Sequence, residues 1–125
     1  MTESASDHQA ITNMVFTRPW GYYKILEKTN QHQVKRIVVN PNQRLSLQSH
    51  HHRQEKWIII KGQGIAIIGD ASIAVNVGDY VAIDKEMKHR ISCTSDCPLE
   101  FIEVQLGDYL EEDDIIRYED DYNRQ

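Results

Sequence analysis

The feature that most constrains this chain is its punctuation. From Tyr22 to Gln105 short apolar-rich runs are divided by turn-forming residues, and no stretch carries the apolar period of a helix. Val34, Arg36 and Val38 alternate with Lys35, Ile37 and Val39. The later runs are Arg44–His50, Glu55–Lys61, Gly64–Ile68, Ser72–Val77, Tyr80–Ile83, His89–Cys93 and Leu99–Gln105. Their separators include Pro41-Asn42, Lys61-Gly62-Gln63-Gly64, Gly69-Asp70 and Gly78-Asp79, which suit tight turns. About eight or nine strands without intervening helices predict an all-β sandwich or barrel. At 125 residues the chain is a single domain. A chain this size buries roughly two-thirds of its unfolded surface, so it needs neither a metal nor a disulfide merely to fold.

The two ends differ from this body. Residues 1–17 form a polar N-terminal leader, read as flexible or as a short helix, and Arg18-Pro19-Trp20-Gly21 marks the start of the domain, 18–125. From Glu111 onward seven acids meet two bases, whereas residues 1–110 carry twelve of each, so the whole net charge of −5 sits in an acidic C-terminal arm. That arm is expected to be a helix or an extended strap over the body. A body without net positive charge argues against nucleic acid as a partner, although a local cluster of bases could still hold one phosphate. No apolar run approaches the ~18 residues of a membrane span, and residues 1–17 lack a secretory pattern, so a cytoplasmic protein without membrane contact is expected. Cys93 and Cys97, four apart, read as inert thiols.

Chemistry concentrates at His50-His51-His52, which holds three of the six histidines. On a strand, Ser46, Gln48, His50 and His52 share one face, and Leu45, Leu47, Ser49 and His51 the other. Gln48 and His50, or His50 and His52, therefore lie side by side. A turn at His52–Gln54 lets Glu55 add a carboxylate. Nitrogen and oxygen donors of this kind suit Zn, Mn, Fe, Ni or Co. A histidine-rich strand end also occurs as a plain solvated loop. A second segment shifts the balance toward a metal: Gly78, Asp84, Glu86 and His89 have the spacing G-x5-D-x-E-x2-H.

With these segments the sequence resembles the cupin superfamily. The first cupin motif, G-x5-H-x-H-x(3–4)-E-x6-G, matches at Glu55 and Gly62 and puts its two histidine positions at Gln48 and His50. The second, G-x5-P-x-G-x2-H-x3-N, matches at Gly78 and His89, with Asp84, Glu86 and Cys93 at the other places. Asp84 suits a turn, and Glu86 is compatible with it provided its φ stays negative. Arg18–Gly21 (RPWG), Arg44–Trp57 (RLSLQSHHHRQEKW), Ile102–Gln105 (IEVQ) and Gly107–Arg124 (GDYLEEDDIIRYEDDYNR) together resemble the type II phosphomannose isomerase domain. That domain usually forms the C-terminus of bifunctional mannose-1-phosphate guanylyltransferases. The glycine-rich nucleotide-binding part is absent here, so guanylyltransferase activity is not expected of this chain.

The resemblance implies a cupin double-stranded β-helix, or jelly-roll barrel, with a divalent metal, zinc foremost, held by Gln48, His50, Glu55 and His89. His52 is the alternative to Gln48. It further implies interconversion of mannose 6-phosphate and fructose 6-phosphate through an enediolate, feeding GDP-mannose and polysaccharide biosynthesis, and a homodimer paired through strand edges. Arg53, Arg44 and Arg18 are candidate phosphate ligands, with Lys35 or Arg36 as further anion candidates. Arg53, Glu103 and Lys88 are candidate catalytic groups, Glu103 as general base and Lys88 for proton transfer. Trp57 and Ile59 read as core, and His51 as a surface or structural residue. The competing expectations are a non-catalytic sugar-phosphate or sugar-nucleotide binding cupin serving a separate guanylyltransferase, and a dioxygenase, against which Gln48 counts.

Overall fold

The computed structural model describes residues 11–124. Every element in it is a strand: β1 Val15–Arg18, β2 Gly21–Lys28, β3 His32–Val39, β4 Leu47–Ser49, β5 Arg53–Lys61, β6 Gly64–Ile68, β7 Ala71–Val75, β8 Tyr80–Ile83, β9 His89–Cys93, β10 Leu99–Gly107 and β11 Ile116–Glu119. They form two antiparallel sheets, ordered β1-β2-β3-β10-β5-β8 and β11-β4-β9-β6-β7. Sequence neighbours pair only within the β1-β2-β3 and β6-β7 hairpins. The chain otherwise crosses between sheets, as a jelly roll requires.

Three segments, β6, β8 and β9, have the bounds read from the sequence. The Arg44–His50 run shrinks to β4, because Arg44 makes only an isolated bridge to Ser92. The expected turn at His52–Gln54 is shorter, since β5 already begins at Arg53. Two further strands lie in the end segments. Val15–Arg18, inside the stretch read as leader up to residue 17, pairs with Lys24–Gly21, and Ile11 packs against the core. Residues 1–10 of that leader lie outside the described residues. The acidic arm is an extended strap, not a helix, and its β11 adds an edge strand to β4.

The inner faces of β5 and β10 set up the site. Strand periodicity turns Arg53, Glu55, Trp57 and Ile59 inward together, and from the neighbouring strand Phe101, Glu103 and Gln105. The register pairs Ile59 with Phe101, Trp57 with Glu103 and Glu55 with Gln105. One end of the barrel interior is therefore apolar, continuous with the core of Ile37, Val39, Ile91 and Leu99, and the other is charged. At the charged end Gly107 stands opposite Arg53; a Cβ there would meet the His52 carbonyl oxygen at 2.4 Å, so only glycine lets β10 approach the histidine loop.

Candidate functional site

Four strands of the two sheets supply the polar end. β5 brings Arg53 and Glu55, β10 brings Glu103, β9 brings His89, and β4 brings Gln48 directly opposite His89. His50 follows β4. Nitrogen and oxygen atoms of His50, Glu55 and His89 all lie within 4.8 Å of one another. His50 Nε2 is 3.1 Å from Glu55 Oε2, and His89 Nε2 is 3.6 Å from Glu55 Oε1. All three residues are buried.

The orientation of the two imidazoles fits a cation. His50 Nδ1 donates to the Asp114 carbonyl at 2.7 Å and His89 Nδ1 to the Met87 carbonyl at 3.0 Å. Each ring is thereby held in the tautomer that leaves Nε2 bare and turned toward Glu55, the arrangement that metal-binding histidines adopt. Burial, reinforced by the charges of Arg53 and His89, pulls His50 down to about 4, so it is neutral near pH 7. Burial opposes ionisation of Glu55, but Arg53, His89 and His50 hold it well below the usual carboxylate range. The donor set is two imidazoles and one carboxylate, which suits a divalent cation.

Gln48 lines the same cavity; its amide nitrogen donates to Ser46 Oγ at 3.0 Å. Arg53 lies against the cluster, with Nε 2.9 Å from Glu55 Oε2 and Nη2 3.3 Å from His50 Nε2. Glu103 is buried beside Glu55, and accepts from Trp57 Nε1 at 3.0 Å and Gln105 Nε2 at 2.8 Å. Burial, and then the charge of Glu55, raise it to about 8. Two adjacent carboxyls are thus driven apart, Glu55 down by Arg53 and the two histidines, Glu103 up by burial and by Glu55. Trp57, read as core, is core, and its indole nitrogen also bridges Glu55 and Glu103.

Several sequence candidates lie elsewhere. His52 is exposed and packs edge-on against His51 and Tyr109, so it does not join the cluster as the alternative ligand. The alternation carrying it to the face of His50 ends at the turn. Lys88 is exposed and sits 4.2 Å from the Tyr118 ring centroid, outside the cavity, because β9 turns its neighbour His89 inward. Arg44 is also outside: it forms a fork with both Asp121 oxygens and ties down the arm. Arg36 is paired with Glu100. Lys35 and Arg18 do line the cavity. Glu86 departs from expectation in its backbone, with φ 66°, left-handed. Its N–H donates to the His50 carbonyl at 2.7 Å, a bond that fastens the β8–β9 turn to the histidine segment and offsets the ~1–2 kcal/mol of that conformation.

The strap supplies residues that were not singled out in the sequence. Asp114 accepts from the backbone N–H groups of His51 and His52 at 2.9 and 3.0 Å, and its own carbonyl orients His50. Glu112, Arg117 and Arg124 line the cavity. Nothing in the local sequence marks them, because their nearness to the histidines arises only when β11 pairs with β4.

Residues 4–120 match the family described as mannose-6-phosphate isomerase C-terminal. The chain is 42% identical over 122 residues to the xanthan biosynthesis protein XanB of Xanthomonas campestris pv. campestris, covering 98% of this chain and 26% of that protein. It is 44% identical over 107 residues to the alginate biosynthesis protein AlgA of Pseudomonas aeruginosa, covering 86% and 22%, and 40% identical over 108 residues to a mannose-1-phosphate guanylyltransferase of Escherichia coli, covering 86% and 22%. It thus spans about a quarter of the length of these relatives. Among solved structures, a double-stranded β-helix protein from Klebsiella pneumoniae superposes with TM-score 0.69 at 18% identity, covering 92% of this chain and 94% of that one. A cupin-2 domain from Rhodospirillum rubrum superposes with TM-score 0.66 at 22% identity, covering 81% and 76%. The fold is that of a cupin, and with the match over residues 4–120 the chain belongs to the mannose-6-phosphate isomerase C-terminal family.

Proposed function

We propose that this chain is an aldose–ketose isomerase that interconverts mannose 6-phosphate and fructose 6-phosphate in the cytoplasm, in a route leading to GDP-mannose and polysaccharide. The observation that carries the reading is the convergence of His50, Glu55 and His89 with both imidazole Nε2 atoms bared toward the same carboxylate. These three, with Gln48, are the residues that would hold a divalent cation, zinc foremost among Zn, Mn, Co, Ni and Fe. Such a cation supplies a fixed positive charge against the oxyanion that develops when a proton leaves the carbon beside a carbonyl. Glu103 lines the same cavity and is the group positioned to take the proton from C2 and return it at C1, a role that falls to its ionised form, which burial makes the minor one near pH 7. The Trp57 and Gln105 bonds hold its carboxyl in one orientation. Arg53, already directed at Glu55 and His50, has Nη1 without a partner and can donate to a sugar oxygen.

The test is to load the purified chain with each of these metals and supply mannose 6-phosphate. Fructose 6-phosphate should form. Absence of turnover with a demonstrably filled site rejects the reading. One observation favours a second reading: a relative 40% identical to this chain is named mannose-1-phosphate guanylyltransferase. On that reading it is a non-catalytic cupin that binds a sugar phosphate or sugar nucleotide for a separate guanylyltransferase chain, and tight binding without turnover distinguishes it. A homodimer is part of either reading; β7 and β8, one edge of each sheet, carry the exposed apolar residues Ile73 and Tyr80. No helix among the described residues is long and apolar enough to cross a membrane.

A further inference from the structure

The strap is acidic in composition, yet what it presents to the cavity is a positive charge. Its acids are spent on cations of the barrel: Glu111 faces Lys28, Glu112 faces Lys35, Asp121 faces Arg44, and Glu119 faces Arg90. Asp120 takes Arg124. Of the seven arginines in the chain, Arg36, Arg44, Arg53, Arg90 and Arg124 are thereby paired with carboxylates. Arg18 and Arg117 are not, and both line the cavity that holds His89 and Glu55.

A second observation is independent of this census. Among the described residues, two buried side-chain polar atoms lack a hydrogen-bond partner: Arg53 Nη1 and Arg117 Nε. Both belong to cavity-lining guanidinium groups, and Arg53 is only 6% exposed. A buried N–H left unmade costs about 1–3 kcal/mol, so two in one cavity point to an acceptor that the chain itself does not supply.

Register gives the spacing. Arg117 stands opposite Gln48, and Gln48 opposite His89, so the three form one row across β11, β4 and β9. At the ~4.8 Å spacing of paired strands, Arg117 starts about 10 Å from His89 along the sheet. Arg18 approaches from β1, at the edge of the other sheet. Its guanidinium is already oriented, 5.2 Å from the Tyr23 ring centroid and bonded to Tyr23 Oη and the Thr17 carbonyl, both neutral oxygens. The positive charges of Arg124 and Arg18 both bear on Arg117, whose pKa is lowered, chiefly by burial.

We propose that Arg117, with Arg18 of the same cavity, forms the subsite for the phosphomonoester of the substrate, so that the C-terminal strap, and not the barrel alone, completes the binding site. Two unpaired guanidinium groups match a phosphomonoester dianion in charge and in fork geometry. With Arg117 about 10 Å along the sheet from His89, they would hold the phosphate end of an open-chain sugar while its carbonyl end reaches His89 and Glu55. The inference rests on the isomerase reading only for the identity of the sugar.

The test uses the 125-residue chain without added metal, titrated calorimetrically with inorganic phosphate and with mannose 6-phosphate, beside Arg117→Gln and Arg117→Lys. Among the described residues the Arg117 side chain makes no hydrogen bond or ion pair, so both variants are expected to fold with an unchanged thermal midpoint. Phosphate and mannose 6-phosphate should bind the parent and bind Arg117→Gln at least about tenfold more weakly, with partial recovery in Arg117→Lys, which keeps charge but loses the fork. With metal and turnover, Arg117→Gln should raise KM at least about tenfold while kcat falls far less, the signature of lost uniform binding. Unchanged phosphate affinity in Arg117→Gln overturns the subsite and leaves the isomerase reading standing. Phosphate binding that depends on Arg117, in a chain that turns over no sugar with any metal, keeps the subsite and removes the isomerase.

Discussion

The charged end of the barrel and the C-terminal strap use the same residue types under opposite conditions. In the barrel, Arg53 and Glu55 are 6% and 2% exposed, and both sit on β5, whose backbone bonds to β10 and apolar neighbours would hold them in place whatever their charge. In the strap, Glu111, Glu112, Asp121 and Glu119 are exposed carboxylates reaching cations on the barrel wall, with a smaller apolar anchor at Leu110. Buried charges are worth little as glue but are severe to orphan, whereas exposed pairs are individually weak and collectively position a segment. The barrel end is therefore built for fixed geometry. The strap is built for conditional attachment, and it carries Asp114, which orients His50.

The largest effect that would break this contrast is Glu55→Gln. Removing the carboxylate orphans the buried Arg53, and chemical denaturation of the metal-free chain should show a loss of about 3–5 kcal/mol. A loss below about 1 kcal/mol would mean that Arg53 escapes to solvent and the end is not rigid. Next comes Asp114→Ala. It leaves the His51 and His52 N–H groups without their acceptor, at about 1–3 kcal/mol. It should also speed proteolysis within residues 108–124 and weaken metal binding; cleavage elsewhere in the barrel would contradict the division.

Acid should separate the two regions. Burial opposes ionisation of Glu112, but Lys35 and Arg53 bring it down to about 2, and Asp114 and Asp121 are likewise lowered by backbone N–H bonds and by Arg44 respectively. A lowered folded pKa contributes stability above the unfolded value, and that contribution disappears as pH falls through the folded one. Hydrogen exchange at β11 amides should accordingly accelerate as pH drops from about 4 toward about 2, before exchange at β5 and β10 does. Simultaneous loss would merge the two regions into one unit. The smallest effect is Arg44→Gln. Its fork to Asp121 is exposed, so the change should be below about 1 kcal/mol and should vanish in high salt.

Much of the barrel was legible before any coordinates. Gly64–Ile68, Tyr80–Ile83 and His89–Cys93 have the bounds their alternation and flanking turns suggest, because a strand with one buried face writes its period into the chain. His50, Glu55 and His89 were legible from spacing and resemblance together. Alternation failed for His52, which lies beyond the end of β4, and for Arg44, which only bridges Ser92. It was least informative where strands are short and polar: β1 lay hidden in a stretch read as leader, and β11 in an arm read as either a helix or an extended strap.

The amino-acid order alone determined that this chain would fold as an all-β sandwich or barrel and which faces of its strands would be wet, since both follow from local periodicity and turn chemistry. Only the tertiary structure decided which charges cancel. Arg117 lies among seven acids in residues 111–125 and is paired with none of them, while Arg44, 77 residues before Asp121, is bound to it. Ion pairing follows distance in space, and that distance is set by strands that meet only after the barrel has closed.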